Sequence, residues 1–207
     1  PATEKEWAET YPLEKEALDY FINNAGSPNG VIDGGIPVFA AGNEYAGNPA
    51  FPGAYSKCVS VSSLAADYTP ACYTDFGSLV TLSAPGGDLE YYSKIGEQED
   101  EYWAETTTEQ KGAVLSTLIQ NGKPAYGYME GTSMACPHVS GVAALGLAYA
   151  AKTNRHYRAA DFVALMKKSV KELDSHYGNG ATKTYYMNHT TVGASPEIVQ
   201  LSKYIGK

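Results

Sequence analysis

The sequence is poor in positive charge and has no long hydrophobic run, and each shortage excludes a class of function. Its 15 Lys and Arg residues against 23 Asp and Glu residues give a formal net charge of -8. A nucleic-acid or anionic-membrane partner requires a basic surface, so we expect neither partner. The longest apolar run, Val142–Ala151, is too short to cross a bilayer, so we expect no membrane span.

Cysteine is also scarce. The three cysteines form no CxxC pair and no metal-ligand cluster with the four histidines, which excludes a zinc site of the usual spacing. Cys58 and Cys72 are compatible with one disulfide or with free buried thiols, and the sequence leaves both alternatives open. With 43% hydrophobic and 18% charged residues, the chain has enough apolar material for a sizeable core.

The hydrophobic pattern predicts an α/β fold. Residues 11–25 place apolar side chains on one face at a period of 3.6, which predicts an amphipathic helix. These side chains are Leu13, Ala17, Leu18, Phe21 and Ile22. The apolar run 36–41, closed by Gly42 and Asn43, predicts a strand that is buried on both faces. A helix followed by such a strand indicates a parallel sheet covered by helices.

Later segments extend this pattern. Residues 58–64 and 79–84 are further strand candidates, and the small, apolar residues from Pro137 to about Lys152 predict a buried helix. A second helix, at about 159–175, alternates apolar and basic residues and should lie on the surface. The segment 87–111 is strongly acidic, and we interpret it as a surface insertion. Residues 179–207 form a poorly patterned tail.

The segment that carries chemistry is Gly131–Gly141, GTSMACPHVSG, at the start of the apolar helix. Pro137 is tolerated only in a first helical turn, so Ser133 should lie where a loop becomes a helix. The free N–H groups and the positive end of the helix dipole then face the space beside its hydroxyl. That arrangement suits attack on a carbonyl whose oxygen becomes negative. The alternative is that Thr132 or Ser133 is only the N-cap of a core helix.

These eleven residues resemble the nucleophile signature of the subtilase family of serine peptidases, and only Cys136 and Ser140 occupy its variable positions. Upstream, residues 40–43 (AAGN) resemble the family's oxyanion-hole motif, and FPG at 51–53 and APG at 84–86 follow in the family's order. The pattern covers roughly residues 35–153. It implies a parallel-sheet, three-layer subtilisin-like fold.

The resemblance also implies roles for individual residues. Ser133 would be the nucleophile that forms the acyl-enzyme, and Asn43 would donate its side-chain amide to the oxyanion beside the backbone N–H of Ser133. One wall of the substrate pocket, open and uncharged, would be formed by Ala40, Ala41 and Gly42. The Phe51–Pro52 bond matches a bond that is usually cis in the family. His138 occupies a structural position in the motif, and we do not expect it to be the base.

Two members of the expected catalytic triad are missing from the sequence. In subtilases the catalytic Asp and His precede the oxyanion motif, and neither motif is present here. Asp33-Gly34-Gly35 superficially resembles the aspartate motif, but we interpret it as a turn. We therefore expect residues 1–207 to be the C-terminal portion of one catalytic domain, with an N-terminal companion segment supplying both residues. The 207-residue chain alone should be inactive.

The expected function is that of a secreted or cell-surface serine endopeptidase acting on peptides or proteins. No cofactor is expected for catalysis, although a structural calcium ion is compatible with the resemblance. An alternative is a catalytically silent subtilase-like module that binds a partner, although such a module would need neither the serine motif nor Asn43. An esterase of the α/β-hydrolase type is disfavoured, because Ala135 stands where its Gly-x-Ser-x-Gly motif requires the second glycine.

Overall fold

The computed structural model describes residues 1–89 and 112–173, together with two short strands at 182–185 and 197–200. The helices are α1 (Glu4–Thr10), α2 (Pro12–Asn24), α3 (Thr132–Lys152) and α4 (Ala159–Lys168). The strands are β1 (Ile32–Asp33), β2 (Val38–Ala40), β3 (Val59–Leu64), β4 (Leu82–Pro85), β5 (Val114–Gln120), β6 (Lys123–Met129), β7 (Tyr157–Arg158), β8 (Thr182–Tyr185) and β9 (Glu197–Gln200).

The core of the molecule is a parallel sheet in the order β2-β3-β4. Val38 pairs with Val59, and Val61 pairs with Leu82, so the carboxyl ends of the three strands meet at one edge. The strands predicted at 36–41, 58–64 and 79–84 are thus confirmed, with narrower bounds. Strand β3 is buried throughout, but β2 is only half-buried, contrary to the prediction. Within the described residues β2 pairs on one side only, which accounts for this difference.

Helix α3 covers one face of this sheet. Ala135, Val139 and Ala143 pack on the valines of β3, and their small size allows a close approach of helix and sheet. The helix predicted from Pro137 to about Lys152 is confirmed, but it begins at Thr132, so Pro137 lies inside the helix and not in its first turn as predicted. The helix is also not buried all round. On its far side Leu145 is 73% exposed, and Val142 and Tyr149 are each 62% exposed.

Helix α3 is also the one helix within the described residues that has the length and apolar composition of a membrane span. Its buried side chains pack against the sheet, and much of the rest of the helix is exposed.

Helices α1 and α2 contribute to a second cluster on the opposite face. Phe39 points away from α3, because side chains alternate along a strand, and it packs with Leu18 and Ile22 of α2. Trp7 of α1 is 1% exposed and stacks on Phe51 at 5.2 Å between ring centroids. The helix predicted at 11–25 is confirmed as α2, whereas the sequence analysis missed α1. The apolar face of α2 is incompletely covered, since Leu13 is 79% exposed.

An antiparallel hairpin of β5 and β6 leads directly into α3. Its turn is Asn121-Gly122, with both residues in the left-handed region, which is the turn that matches the twist of a hairpin. The sequence analysis did not predict this hairpin. The predicted second helix is confirmed as α4; it ends at Lys168, earlier than predicted, and its apolar face buries Phe162 and Met166.

The remaining predictions concern the cysteines, the acidic segment and the tail. Cys58 and Cys72 are both buried thiols, so the disulfide alternative does not apply. Asp88 was expected on the surface of the 87–111 insertion, but it is fully buried and accepts a hydrogen bond from the Cys72 N–H at 3.1 Å. Residues 90–111 lie outside the described residues, as does most of the tail at 179–207.

Candidate active site

Segments that are distant in the sequence converge at the N-terminus of α3. Asn43 lies in the loop that follows β2, and its Oδ1 accepts hydrogen bonds from the Thr132 N–H at 2.9 Å and the Thr132 hydroxyl at 2.7 Å. The same hydroxyl accepts from the Gly42 N–H at 3.2 Å. The turn after β4 joins them, because the Gly131 N–H donates to the Gly86 carbonyl at 2.9 Å. The fold therefore brings the AAGN, APG and GTS motifs together.

These hydrogen bonds determine which way the Asn43 amide faces. Since Oδ1 is occupied by two donors of Thr132, the Nδ2 group is directed away from them. A Cβ atom placed on Gly131 would lie 3.5 Å from Asn43 Nδ2 and 3.6 Å from Ser133 N. Both N–H donors thus border one small space, which is open because residue 131 is a glycine. Its φ of 144° is also one that other residues rarely adopt.

Ser133 lies in the first turn of α3 with its side chain exposed. Neighbouring N–H groups of this turn are occupied: Thr132 donates to Asn43, and Met134 and Ala135 donate to the Gly131 carbonyl. Within the described part of the chain, the N–H of Ser133 has no acceptor. A free N–H at the positive end of a helix dipole stabilises a negative oxygen atom. The site thus offers a hydroxyl beside two donors suited to an oxyanion.

A base for this hydroxyl is not found among the described residues. His138 is exposed on the following turn, and its Nδ1 lies 2.8 Å from the Met134 carbonyl oxygen. His156 does form a pair with Asp33, with 2.8 Å between Nε2 and Oδ2, but it follows the far end of α3. That helix has 21 residues, so the pair is about 30 Å from Ser133. His176 and His189 lie outside the described residues.

The Asp33–His156 pair has a structural role instead. Asp33 belongs to β1, which pairs with β7, rather than to the simple turn that the sequence indicated. The His156 ring also hydrogen-bonds to the Gly30 carbonyl, and together this carbonyl and the Asp33 carboxylate raise the pKa of His156. The pair therefore joins the chain after α3 to the loop before β2.

The predicted pocket wall differs from expectation in its charge. Ala41 is 1% exposed and donates its N–H to the Val61 carbonyl at 2.9 Å, whereas Ala40 and Gly42 are half-buried. Two carboxylates, those of Glu44 and Asp75, lie so close to Gly42 that a side chain there would collide with both. The wall is therefore flanked by acidic groups, whereas the sequence predicted it to be uncharged.

Asp75 is the more unusual of the two acids, because it is 1% exposed. Its Oδ1 accepts from the Glu44 N–H at 3.0 Å and from the Ala46 N–H at 2.8 Å. Burial raises the pKa of Asp75 to about 6, and the negative charge of Glu44 acts in the same direction, while the bond from Ala46 opposes it. The sequence analysis missed this residue. The only local signal was an aspartate two residues before a glycine, which is typical of many turns.

Comparison with known proteins identifies the family. The family model described as the subtilase family matches residues 4–180, which is most of the chain. The chain belongs to the subtilase family. Its relatives include halolysin of Haloferax mediterranei, 38% identical over 55% of this chain and 17% of halolysin. Thermitase of Thermoactinomyces vulgaris is 33% identical over 61% of this chain and 35% of thermitase.

Solved structures agree with the fold of this subtilase chain. A protease of Pseudoalteromonas arctica is 32% identical with a TM-score of 0.50, over 66% of this chain and 36% of that protease. A lanthipeptide protease, 22% identical with a TM-score of 0.57, covers 83% of this chain and 51% of its own and shows the same fold. The fold is thus the predicted subtilisin-like α/β fold. The chain spans about a third or less of the curated relatives named above.

The names of two further relatives bear on location and metal content. One, from Natrialba magadii, is a halolysin-like extracellular serine protease, 32% identical over 55% of this chain and 16% of its own length. Another, from a Nostoc species, is named calcium-dependent protease and is 29% identical over 84% of this chain and 26% of its own length. In residues 1–89 and 112–173, no group of three or more His, Cys, Asp or Glu side chains is placed to hold a metal ion.

Proposed function

We propose that this subtilase chain carries the nucleophile and the oxyanion hole of a serine endopeptidase. Ser133 Oγ attacks the carbonyl carbon of a peptide bond, and the negative oxygen formed is held by Asn43 Nδ2 and the N–H of Ser133. The C–N bond then breaks, the amine leaves with a proton, and water hydrolyses the serine ester. The observation that carries this proposal is the open space beside Gly131. A Cβ atom placed there would lie 3.5 Å from Asn43 Nδ2 and 3.6 Å from Ser133 N.

The proposed mechanism needs a base and an orienting carboxylate, and we propose that an N-terminal part of the same catalytic domain supplies them. The exposed side of α3 supports the presence of such an N-terminal part. This side borders a largely apolar groove of about 590 Å³ between α3, α4 and β4. Within the described residues, β2 also has one unpaired edge, where a further strand of the sheet would fit. We propose that the N-terminal part covers both surfaces, and that residues 1–207 complete the domain with the 87–111 insertion and the 179–207 tail.

Labelling of Ser133 tests the proposed function. The chain alone, and the chain co-expressed with the N-terminal part, are treated with a fluorophosphonate and analysed by mass spectrometry. We expect no labelling of the chain alone, because loss of the base removes nearly all reactivity of such a serine. The co-expressed form should react stoichiometrically at Ser133, with Ser133→Ala as the matched control. Stoichiometric labelling of the chain alone would contradict the predicted inactivity, and failure of the co-expressed form to react would contradict the proposed function.

A catalytically silent binding module remains the alternative function. It would retain the fold but have no need for an open space beside Asn43 and Ser133. The co-expression experiment separates the two functions, because a silent module forms the complex yet leaves Ser133 unlabelled.

Location and metal content are further parts of the proposal. We propose that the whole protein is secreted, in keeping with the extracellular relative, and that it acts on peptides or proteins. A structural calcium ion in the whole protein is supported by the name of the Nostoc relative alone, since the described residues contain no group of three or more His, Cys, Asp or Glu side chains placed to hold a metal ion. Thermal unfolding of the whole protein with calcium and with a chelator tests this. Equal midpoints would exclude a structural ion.

A further inference from the structure

The loop that carries Asn43 is restrained by hydrogen bonds to one buried carboxylate, that of Asp75. Asp75 Oδ1 accepts from the N–H groups of Glu44 and Ala46, at 3.0 Å and 2.8 Å. The N–H of Asp75 donates to the Gly42 carbonyl at 3.0 Å. One residue thus holds the loop Gly42–Ala46 at three points, and Asn43 lies between them.

The loop needs this restraint because its backbone is strained. Tyr45 has a φ of 55°, in the left-handed region, which costs a residue with a large side chain about 1–3 kcal/mol. The two N–H groups bound by Asp75 belong to the residues on either side of Tyr45. Two backbone hydrogen bonds also hold the loop, from the Tyr45 N–H to the Tyr73 carbonyl and from the Phe76 N–H to the Ala46 carbonyl, each at 2.9 Å. Without the carboxylate, the loop would lose the two bonds on either side of Tyr45, and the segment between Gly42 and Tyr45 would be less restrained.

The position of Asn43 depends on the same loop. Its N–H donates to Glu44 Oε2 at 2.8 Å, and Glu44 is in turn held through its own N–H by Asp75. Thr132 holds the far end of the Asn43 side chain and the N–H of Gly42, whereas the backbone that follows Asn43 is held through Glu44 and Ala46 by Asp75. A less restrained loop would therefore withdraw the amide from the space beside Ser133.

We propose that Asp75 is a positioning residue, which holds the loop Gly42–Ala46 so that Asn43 Nδ2 stays beside the N–H of Ser133. The inference rests on the proposed function, because it assigns Asp75 to the same oxyanion hole. Asp75 acts through Asn43 and makes no contact with the reacting atoms. Such a residue stabilises only the transition state, because the oxyanion exists only there.

The first test compares three variants of the chain co-expressed with its N-terminal part, on a peptide substrate. Asp75→Ala should lower kcat by about 10- to 100-fold with KM little changed, because a displaced oxyanion donor acts only after attack. Asp75→Asn keeps an acceptor oxygen in the same place and should restore kcat. The control is Asp67→Ala, because Asp67 also accepts from a loop N–H, that of Thr69 at 3.0 Å, and this variant should behave as the unchanged protein.

The second test distinguishes positioning from a general loss of structure. If Asp75 acts through Asn43, the double variant Asn43→Ala/Asp75→Ala should be no slower than Asn43→Ala. Effects that multiply would overturn the proposal, because Asp75 would then act independently of Asn43. Should circular dichroism show that Asp75→Ala does not fold, Asp75→Glu provides the same comparison, since it keeps the charge and moves the oxygens by one methylene.

The outcomes for this inference and for the proposed function are distinct. Normal kcat in Asp75→Ala, with Ser133→Ala inactive, refutes the role of Asp75 and leaves the proposed function intact. Undiminished hydrolysis in Ser133→Ala refutes the proposed function itself.

Discussion

The buried carboxyl of Asp75 should make the stability of the chain depend on pH, and Asp75→Asn should remove that dependence. Burial, with the charge of Glu44, raises the pKa of Asp75 from 3.8 to about 6 in the folded chain. Glu44 is the titratable group that faces it from the Gly42–Ala46 loop, and from α3 the loop meets the neutral hydroxyl of Thr132. Asparagine has nearly the same shape and keeps an acceptor oxygen, but its side chain does not ionise.

The sign of the effect follows from which state binds the proton more tightly. Between pH 3.8 and about 6 the folded chain keeps the Asp75 proton, while the unfolded chain has released it. The stabilisation is therefore complete at low pH and is lost as the pH rises through the folded pKa of about 6. At about 1.4 kcal/mol for each pH unit between the two pKa values, the loss amounts to about 3 kcal/mol.

Urea unfolding of the 207-residue chain and its Asp75→Asn variant, at about pH 3.5 and about pH 7.5, measures this loss. The free energy of unfolding of the variant, relative to the unchanged chain, should be higher at the upper pH by about 3 kcal/mol. An Asp75→Asn difference that is equal at both pH values would refute the reasoning, because ionisation of Asp75 would then not be coupled to folding.

Three further substitutions test the site and the core. Gly131→Ala would put a methyl group between Asn43 Nδ2 and Ser133 N, so fluorophosphonate labelling of the co-expressed form should slow by about 100-fold or more. Its control is Gly122→Ala, which also has a positive φ, of 73°, but lies in open space and should label normally. Thr132→Val should lower the free energy of unfolding by about 1–3 kcal/mol in urea, since it leaves buried hydrogen-bonding groups of Gly42 and Asn43 short of a partner; Thr132→Ser should not. Phe162→Ala, at a side chain 3% exposed, should cost about 3–5 kcal/mol in the same assay, whereas Leu13→Ala, at a side chain 79% exposed, should cost little. Equal results for a substitution and its control would contradict the corresponding contact.

Much of the site could be predicted from the sequence because its signals are local. Gly131, Ser133 and Pro137 lie within seven consecutive residues, so their order indicates a serine near the start of a helix. Asn43 was identified because residues 40–43 (AAGN) resemble the oxyanion-hole motif of the subtilase family. The strands were found because β-branched and apolar residues cluster in them.

The features that the sequence analysis missed depend on contacts between distant segments. Asp75 meets the Gly42–Ala46 loop across about 30 residues of sequence, and nothing next to it marks that contact. Helix α1 has seven residues, too few for a periodic pattern, and Trp7 is its only buried side chain. The exposed side of α3 could not be foreseen because composition predicts which residues prefer burial, while exposure depends on which neighbours are present.

The two donors at Gly131 have a consequence for the newly synthesised chain. Asn43 and Thr132 are separated by 89 positions, and their hydrogen bonds form only once β2 and α3 have packed together. A ribosome must therefore complete the segment through α3 before an oxyanion could be accommodated. Partly folded intermediates would therefore carry the serine without the amide of Asn43 held beside it.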